Sequence, residues 1–284
     1  MEIIENIASM QAFAERKRME GKLMGLVPTM GSLHEGHLTL IREAKSRTDI
    51  VVVSIFVNPT QFGPGEDYDS YPRDLEGDAR KVISAGGDMI FSPSASDMYP
   101  EGYLTYVDVG KVTEPLCGLS RPEHFRAVAT VVNKLFNIIK PHKAFFGQKD
   151  YQQSVVIKRM VKDLNMDIDI IVLPTVREPD GLAMSSRNSY LSEEERKVSP
   201  VLYKSLTIAS CMIRDREKNA RKILSAIKRM IEKEPLVSID YIAITDSETL
   251  KDIDEIKGKT LIALAVRIGK MRLIDNILTE PQGS

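Results

Sequence analysis

His34-Glu35-Gly36-His37 sets two imidazoles three residues apart around a glycine. On a helix of about 3.6 residues per turn they share one face, and Gly36 leaves room for a ligand to approach the backbone. The unpaired amide N–H groups of a first helical turn and its positive dipole end point the same way. The tetrapeptide can therefore hold a phosphate, with both rings donating hydrogen bonds to its oxygens. Two plainer roles compete, a structural metal pair and two satisfied histidines at a helix start; neither a cysteine nor a third histidine lies nearby to complete a metal site. Gly147-Gln148-Lys149-Asp150 stands at a second strand-to-helix turn. In Met184-Ser185-Ser186-Arg187, two hydroxyls, their N–H groups and a guanidinium stand in a row that can wrap phosphate oxygens, although the same residues suit a solvated turn.

The elements that must position these groups are legible in the hydrophobic pattern. Leu23 to Val27 reads as a strand, Pro28, Thr29, Met30 and Gly31 as a turn, and the amphipathic stretch from His34 as a helix. The β-branched run Ile50 to Val57 follows at the distance of a crossover, so the stretch is one βαβ unit with parallel strands and a ligand site at their carboxyl ends. Asn6 to Glu20 reads as a helix ended by Gly21, Gly63 to Tyr71 as a long functional loop, Asp74 to Ala85 as a helix and Asp88 to Phe91 as a strand. Thr105 to Val109 predicts a short strand, His124 to Ile139 a helix, Lys143 to Phe146 a strand, Tyr151 to Leu164 a helix and Asp167 to Leu173 a strand. This alternation predicts a doubly wound α/β sheet over residues 1–175.

After Pro174 the pattern changes. Ser192 with Glu195 predicts a capping box heading a helix to about Arg214, and Asn219 to Glu234 a second helix. Ile239 to Thr245, Thr260 to Ile268 and Arg272 to Ile277 read as strands, the last two joined in a hairpin at Gly269-Lys270. Residues 176–284 are thus expected to form a smaller α+β domain, hinged near Val176 to Arg187, that closes over the first.

Composition narrows the function. The 284 residues are 43% hydrophobic and 28% charged, ordinary for a globular protein. A formal net charge of -1 offers no electrostatic footprint for a polyanion, which argues against a nucleic-acid partner. Only Cys117 and Cys211 are present, too few for a secreted disulfide scaffold or a zinc ribbon. The start MEIIENIASM lacks the pattern of a signal peptide and no apolar run approaches a membrane span, so a cytoplasmic location is expected. The GxGxxG fingerprint of dinucleotide binders is absent.

PTMGSLHEGH followed by VVVSIFVNPTQF resembles the pantoate–β-alanine ligase family, within the HIGH-motif nucleotidyltransferase superfamily. The likeness continues through Arg121-Pro122-Glu123-His124-Phe125, FFGQKDYQQ from Phe145 to Gln153 and PTVREPDGLAMSSRNSYL from Pro174 to Leu191, and covers most of the chain. The resemblance implies a Rossmann-like doubly wound parallel sheet with a smaller C-terminal α+β domain, ATP as substrate, Mg²⁺, and a homodimer. It implies an ATP site of Pro28, Thr29, Met30, Gly31, His34, Gly36, His37, Gly147, Lys149, Asp150, Val176, Met184, Ser185, Ser186 and Arg187. His34, His37, Lys149 and Arg187 would be the catalytic groups, and Asp150 the ribose ligand or, on structural grounds, a helix cap. Gln61 and Gln153 would hold the acid substrate, with Met30, Asn58, Tyr71, Arg121 and His124 as further contacts. Asp78 would help hold Mg²⁺. Gly77 and Cys117 depart from the usual pattern, at the metal shell and before Arg121 respectively.

The implied chemistry has two steps: a carboxylate attacks the α-phosphorus of ATP to give an acyl adenylate, and the amine of β-alanine then displaces AMP. Two other readings share the HxGH turn. A nucleotidyltransferase acting on a phosphorylated alcohol has no need for the paired glutamines, and a non-catalytic ATP-binding module has no need for the second phosphate clamp.

Overall fold

The computed structural model describes residues 1–281. They form two compact units, one of Met1–Thr113, Cys117–Gln148 and Gln153–Pro174, the other of Glu114–Leu116, Lys149–Gln152 and the chain from Thr175 onward.

The first unit is built on strands β1 (Glu2–Ile4), β2 (Met24–Thr29), β3 (Ile50–Ile55), β4 (Met89–Phe91), β5 (Lys143–Gly147) and β6 (Asp169–Leu173). Their order is β1-β4-β3-β2-β5-β6 and every ladder is parallel. The helices between them are α1 (Ile7–Met19), α2 (Glu35–Arg47), α3 (Leu75–Ser84), the single turns α4 (Ala95–Met98) and α5 (Cys117–Ser120), then α6 (His124–Ile139) and α7 (Tyr151–Asp163). The runs in β2 and β3 are nearly continuous in apolar residues because the strands are covered on both faces. Helix α2 lays Leu40, Ile41 and Ala44 against Val27, Val51, Val53 and Phe145 in one core.

The strand order sets the site. From β2 the chain runs to β3 on one side, while β5 lies on the other, so the direction of winding reverses between β2 and β5. At such a switch point the loops at the carboxyl ends of the two strands part and leave a crevice. The turn after Thr29 and the turn after Gly147 are those loops.

The second unit has α8 (Glu193–Val198), α9 (Val201–Arg214), α10 (Ala220–Ile231) and an antiparallel sheet β7-β8-β9 of Val237–Asp246, Thr260–Ile268 and Met271–Thr279. Leu202, Leu206, Ile223, Ile227, Ile262 and Leu264 lie in its core. Edge strand β7 carries a register shift between Ile239 and Tyr241. Among the described residues no helix is long and apolar enough to cross a membrane.

Two expectations need correction, and one strand lies outside them. Thr105 to Val109 is not a strand; the Val107 N–H that a ladder would need is bound by the Thr130 hydroxyl at 2.9 Å. The helix headed by the Ser192–Glu195 capping box stops at Val198, and α9 starts anew after Pro200, whose missing N–H cannot continue the α8 ladder. Strand β1 was not anticipated because its three residues are too few to show a period.

The central strand leaves no room at Gly25. A Cβ there would lie 2.6 Å from Thr48 Oγ1, which is held in place by the Ala44 carbonyl at 2.8 Å. Gly25→Ala is therefore expected to destabilise the protein by about 1–3 kcal/mol, seen as a lower midpoint in urea unfolding; an unchanged midpoint would show that the α2 terminus yields freely.

Candidate active site

The turn between β2 and α2 is held open by an internal anion. Gly31 and Ser32 both have positive φ, at 82° and 52°, and the turn brings the consecutive N–H groups of Ser32 and Leu33 together in a shallow nest. The carboxylate of Asp78, from α3, fills it: Ser32 N–H donates to Oδ2 at 2.7 Å and Leu33 N–H to Oδ1 at 2.8 Å. Lys81 reaches over to donate to the Leu33 carbonyl at 2.7 Å and stands 3.7 Å from Asp78. Thr29 ties the end of β2 to the Ser54 carbonyl and accepts the Gly31 N–H. Glycine is required at position 31, where a Cβ would meet Asp78 Oδ2 at 3.0 Å on a backbone that already disfavours side chains.

This turn delivers His34 as the cap of α2. Gly36 N–H donates to His34 Nδ1 at 3.2 Å, and His34 N–H donates to His37 Nδ1 at 3.3 Å, a reciprocal capping box made by two histidines. A ring nitrogen that accepts from the backbone carries no proton, so both rings are set in the Nε2–H tautomer. The plainer role is present: each Nδ1 takes part in capping the helix, and the ring proton sits on Nε2. The rings lie 4.1 Å apart at 36°.

Beside this turn, Asn58, 1% exposed, orients Gln61. Its Nδ2 donates to Gln61 Oε1 at 3.2 Å while its Oδ1 accepts from Thr60. Gln61 Nε2 in turn points at Met30 Sδ, 2.9 Å away. A thioether is a weak acceptor, so this amide loses little by turning to a substrate oxygen. Gln153 lies half-buried on α7 within the first unit.

Arg121 and His124, expected as substrate contacts, hold Gln61 and its loop. Arg121 forks onto Glu66 at 2.8 and 2.5 Å, and its Nη2 and the His124 ring both meet the Gln61 carbonyl, at 3.0 and 3.1 Å. Desolvation alone would raise the Glu66 carboxyl; the Arg121 guanidinium outweighs it and holds the group below the usual carboxylate range. Tyr71, 5% exposed, packs edge-on against Phe62, and Arg73 donates to the carbonyls of Tyr68 and Tyr71. The 63–71 loop is thus a tied structure rather than an open tether.

The remaining candidates belong to the second unit. Lys149 is half-buried, and desolvation draws its ammonium pKa below that of a free lysine, with Asp150 opposing and Arg187 reinforcing the shift. Met184 N–H donates to the Val176 carbonyl at 3.0 Å, and Ser185 Oγ caps the short turn Ser186–Tyr190 by accepting the Arg187 N–H at 3.3 Å. Asp150 is exposed at the turn before α7. Glu66, Arg177, Asp275 and Asn276 were not singled out from sequence. The one available signal was an Asp-Asn pair inside the apolar run of β9.

The Asp78 carboxylate is 1% exposed and committed to two backbone donors, and among the described residues no cluster of three or more His, Cys, Asp or Glu could hold a metal. The expected Mg²⁺ role of Asp78 does not fit this geometry.

A parallel sheet with this switch point, a histidine-capped helix facing it and an amide poised beside it together define a nucleotide-dependent α/β enzyme. The family model described as pantoate-beta-alanine ligase matches residues 2–278, and the chain belongs to that family. It is 56% identical over 283 residues to the pantothenate synthetase of Geobacter sulfurreducens, covering 99% of this chain and 100% of that protein. It is 58% identical over 278 residues to that of Pelotomaculum thermopropionicum, covering 98% and 99%. The crystal structure of pantothenate synthetase from Thermus thermophilus superposes with a TM-score of 0.94 at 44% identity, covering 99% of this chain and 100% of that one. The pantoate-beta-alanine ligase of Francisella tularensis, complexed with beta-gamma ATP and beta-alanine, gives 0.81 at 38% identity over 98% and 97%.

Asp78→Asn replaces one acceptor with a donor facing a backbone N–H. It is expected to cost about 2 kcal/mol of stability and to lower turnover at least about tenfold by shifting His34, while the Mg²⁺ dependence of the remaining activity stays where it was. A raised Mg²⁺ requirement in a Mg²⁺ titration would make Asp78 a metal ligand instead.

Proposed function

We propose that the chain condenses pantoate with β-alanine, using ATP and releasing AMP and pyrophosphate, through a pantoyl adenylate. Membership of the ligase family supports the reaction. The observation that carries it beyond nucleotide binding is the Gln61 amide, oriented by Asn58 and resting on a weak sulfur acceptor next to the histidine-capped turn. An amide offers a donor and an acceptor together, which suits the hydroxyl and carboxylate of pantoate. Gln153 is the second amide of this acid pocket.

In the first step a pantoate carboxylate oxygen attacks the α-phosphorus and the bond to the bridging oxygen of pyrophosphate breaks. The Nε2–H groups of His34 and His37 donate to the phosphate oxygens where charge grows, and Lys149 and Arg187 offset the charge on the departing pyrophosphate. Pro28 to Gly31, Gly36 and Gly147 bring backbone close to the nucleotide, Asp150 takes the ribose, and Val176 with Met184 to Ser186 completes the nucleotide site. In the second step the amine of β-alanine attacks the acyl carbon, AMP leaves with the anhydride oxygen, and the amine loses its proton. Water must be excluded meanwhile, a role we assign to the 63–71 loop.

Mg²⁺ enters this proposal as a companion of the ATP phosphates, since a cation held by phosphates and water needs few protein ligands. A cytoplasmic location is consistent with two free cysteines. We also propose a homodimer, for which Leu104, Tyr106 and Leu119, 86%, 47% and 79% exposed, offer apolar surface on the first unit. Light scattering behind size exclusion should give twice the chain mass; a monomer at micromolar concentration would refute it.

The order of steps is testable directly. ATP–pyrophosphate exchange should require pantoate and proceed without β-alanine, and Gln61→Ala should abolish it. Exchange that needs β-alanine would overturn the adenylate route. Nucleotide transfer to a phosphorylated alcohol, with no pantoate dependence, would favour the broader superfamily reaction.

A further inference from the structure

Lys149 and Arg187 stand on separate stretches of the second unit, and two consecutive residues of β9 are tied to the Lys149 backbone and to the hairpin that precedes Arg187. Asn276, 4% exposed, donates its Nδ2 to the Lys149 carbonyl at 2.9 Å. Asp275, 2% exposed, takes the Arg177 guanidinium in a two-pronged pair, at 2.6 Å from Nη1 and 2.9 Å from Nη2. Arg177 passes that grip onward. Its Nη1 donates to the Gly181 carbonyl at 3.0 Å, its guanidinium lies 4.0 Å from the Tyr203 ring centre, and its backbone bridges Ala183 across a hairpin. The hairpin is closed by Glu178 N–H on the Leu182 carbonyl and Met184 N–H on the Val176 carbonyl, and it leads directly into Ser185. The Asn276 backbone N–H also donates to Asp275 Oδ1 at 2.7 Å, which fixes the Asp275 carboxylate against its own strand.

We propose that Asp275 and Asn276 are a positioning pair that anchors the Lys149 turn and the Ser185–Arg187 turn to one strand, so that both cations meet a triphosphate in a preset arrangement. This rests on the proposed function in taking Lys149 and Arg187 to face phosphate. The physical need is plain. Two cations aimed at one ligand repel each other before it arrives, and both stems are long and flexible. A fixed backbone origin for each restricts where the charges go, and a misplacement of about 1 Å can cost on the order of a hundredfold in rate. Neither Asp275 nor Asn276 is required to touch the substrate.

The test uses the full chain with Asn276→Ala, Lys149→Met and the double variant, read by pantoate-dependent ATP–pyrophosphate exchange and by amide hydrogen exchange. Asn276→Ala should lower kcat by roughly ten- to a hundredfold with the KM for ATP little changed. That loss should largely disappear in the Lys149→Met background. Amide protection should fall at 149–152 and 184–188 and hold in α9 and β8. Additive losses in the double variant, or unchanged protection at both turns, would overturn the pair as a positioning device. A Lys149→Met enzyme with full exchange activity would refute the phosphate reading above and leave the protection measurement to decide the anchoring. Should Asn276→Ala fail to fold, Asp275→Asn, which keeps the side-chain volume and one acceptor, carries both readouts: lost protection at 184–188 with lowered kcat supports the pair, and wild-type behaviour overturns it.

Discussion

A buried carboxylate gripping two backbone N–H groups is the contact on which the rest of the first unit's site depends. Asp78 fixes Ser32 and Leu33, and through them the path by which the chain leaves β2 and enters α2. Without a fixed anion in that nest, two left-handed residues in succession have little to hold them, since only glycine adopts such a backbone at low cost. The consequence reaches both histidines. Their Nδ1 atoms serve the helix, and the direction in which Nε2–H points is then set by the same hydrogen bonds that start it. Local folding and donor placement are one event here.

The first unit follows a similar economy around Gln61. Gln61 is held at its side chain by Asn58 and at its carbonyl by Arg121 and His124, and Arg121 in turn holds Glu66 of the loop. A side-chain amide has several rotamers of similar energy, and each contact removes some of that freedom before a ligand arrives. Polar residues near a candidate site can act through one another, and here several of them stiffen Gln61.

How much of this could be read from sequence depended on whether the feature was local. The βαβ stretch, the His34 helix start and α6 from His124 to Ile139 follow from period and spacing, because Val128, Val131, Val132, Leu135 and Phe136 mark a buried face as they stand. The Ser192 capping box was legible for the same reason and is present. The break at Pro200 was missed because the apolar period runs on across it, although a missing N–H does not. Thr105 to Val109 alternates like a strand, but alternation says nothing about who takes the N–H groups, and a threonine on α6 takes one. Arg121, Asp78 and Asp275 were legible as charges but not in direction. Their partners lie far along the chain, and a buried ion pair in a strand looks, in sequence, like a solvent-facing position.

The register shift in β7 bears on a different matter, the behaviour of the protein in concentrated solution. An edge strand presents a row of unused N–H and C=O groups that a second chain can pair with, and a flat apolar edge is a template for aggregation. In β7 the ladder to β8 skips Asp240 between Ile239 and Tyr241, and the extra residue bends the strand and increases its twist. Asp240, the residue the ladder skips, is held by Arg272 of β9 at 2.8 Å. A bent, more strongly twisted edge is a poorer template for an incoming strand than a flat one, and the small sheet carries that protection in one misaligned residue.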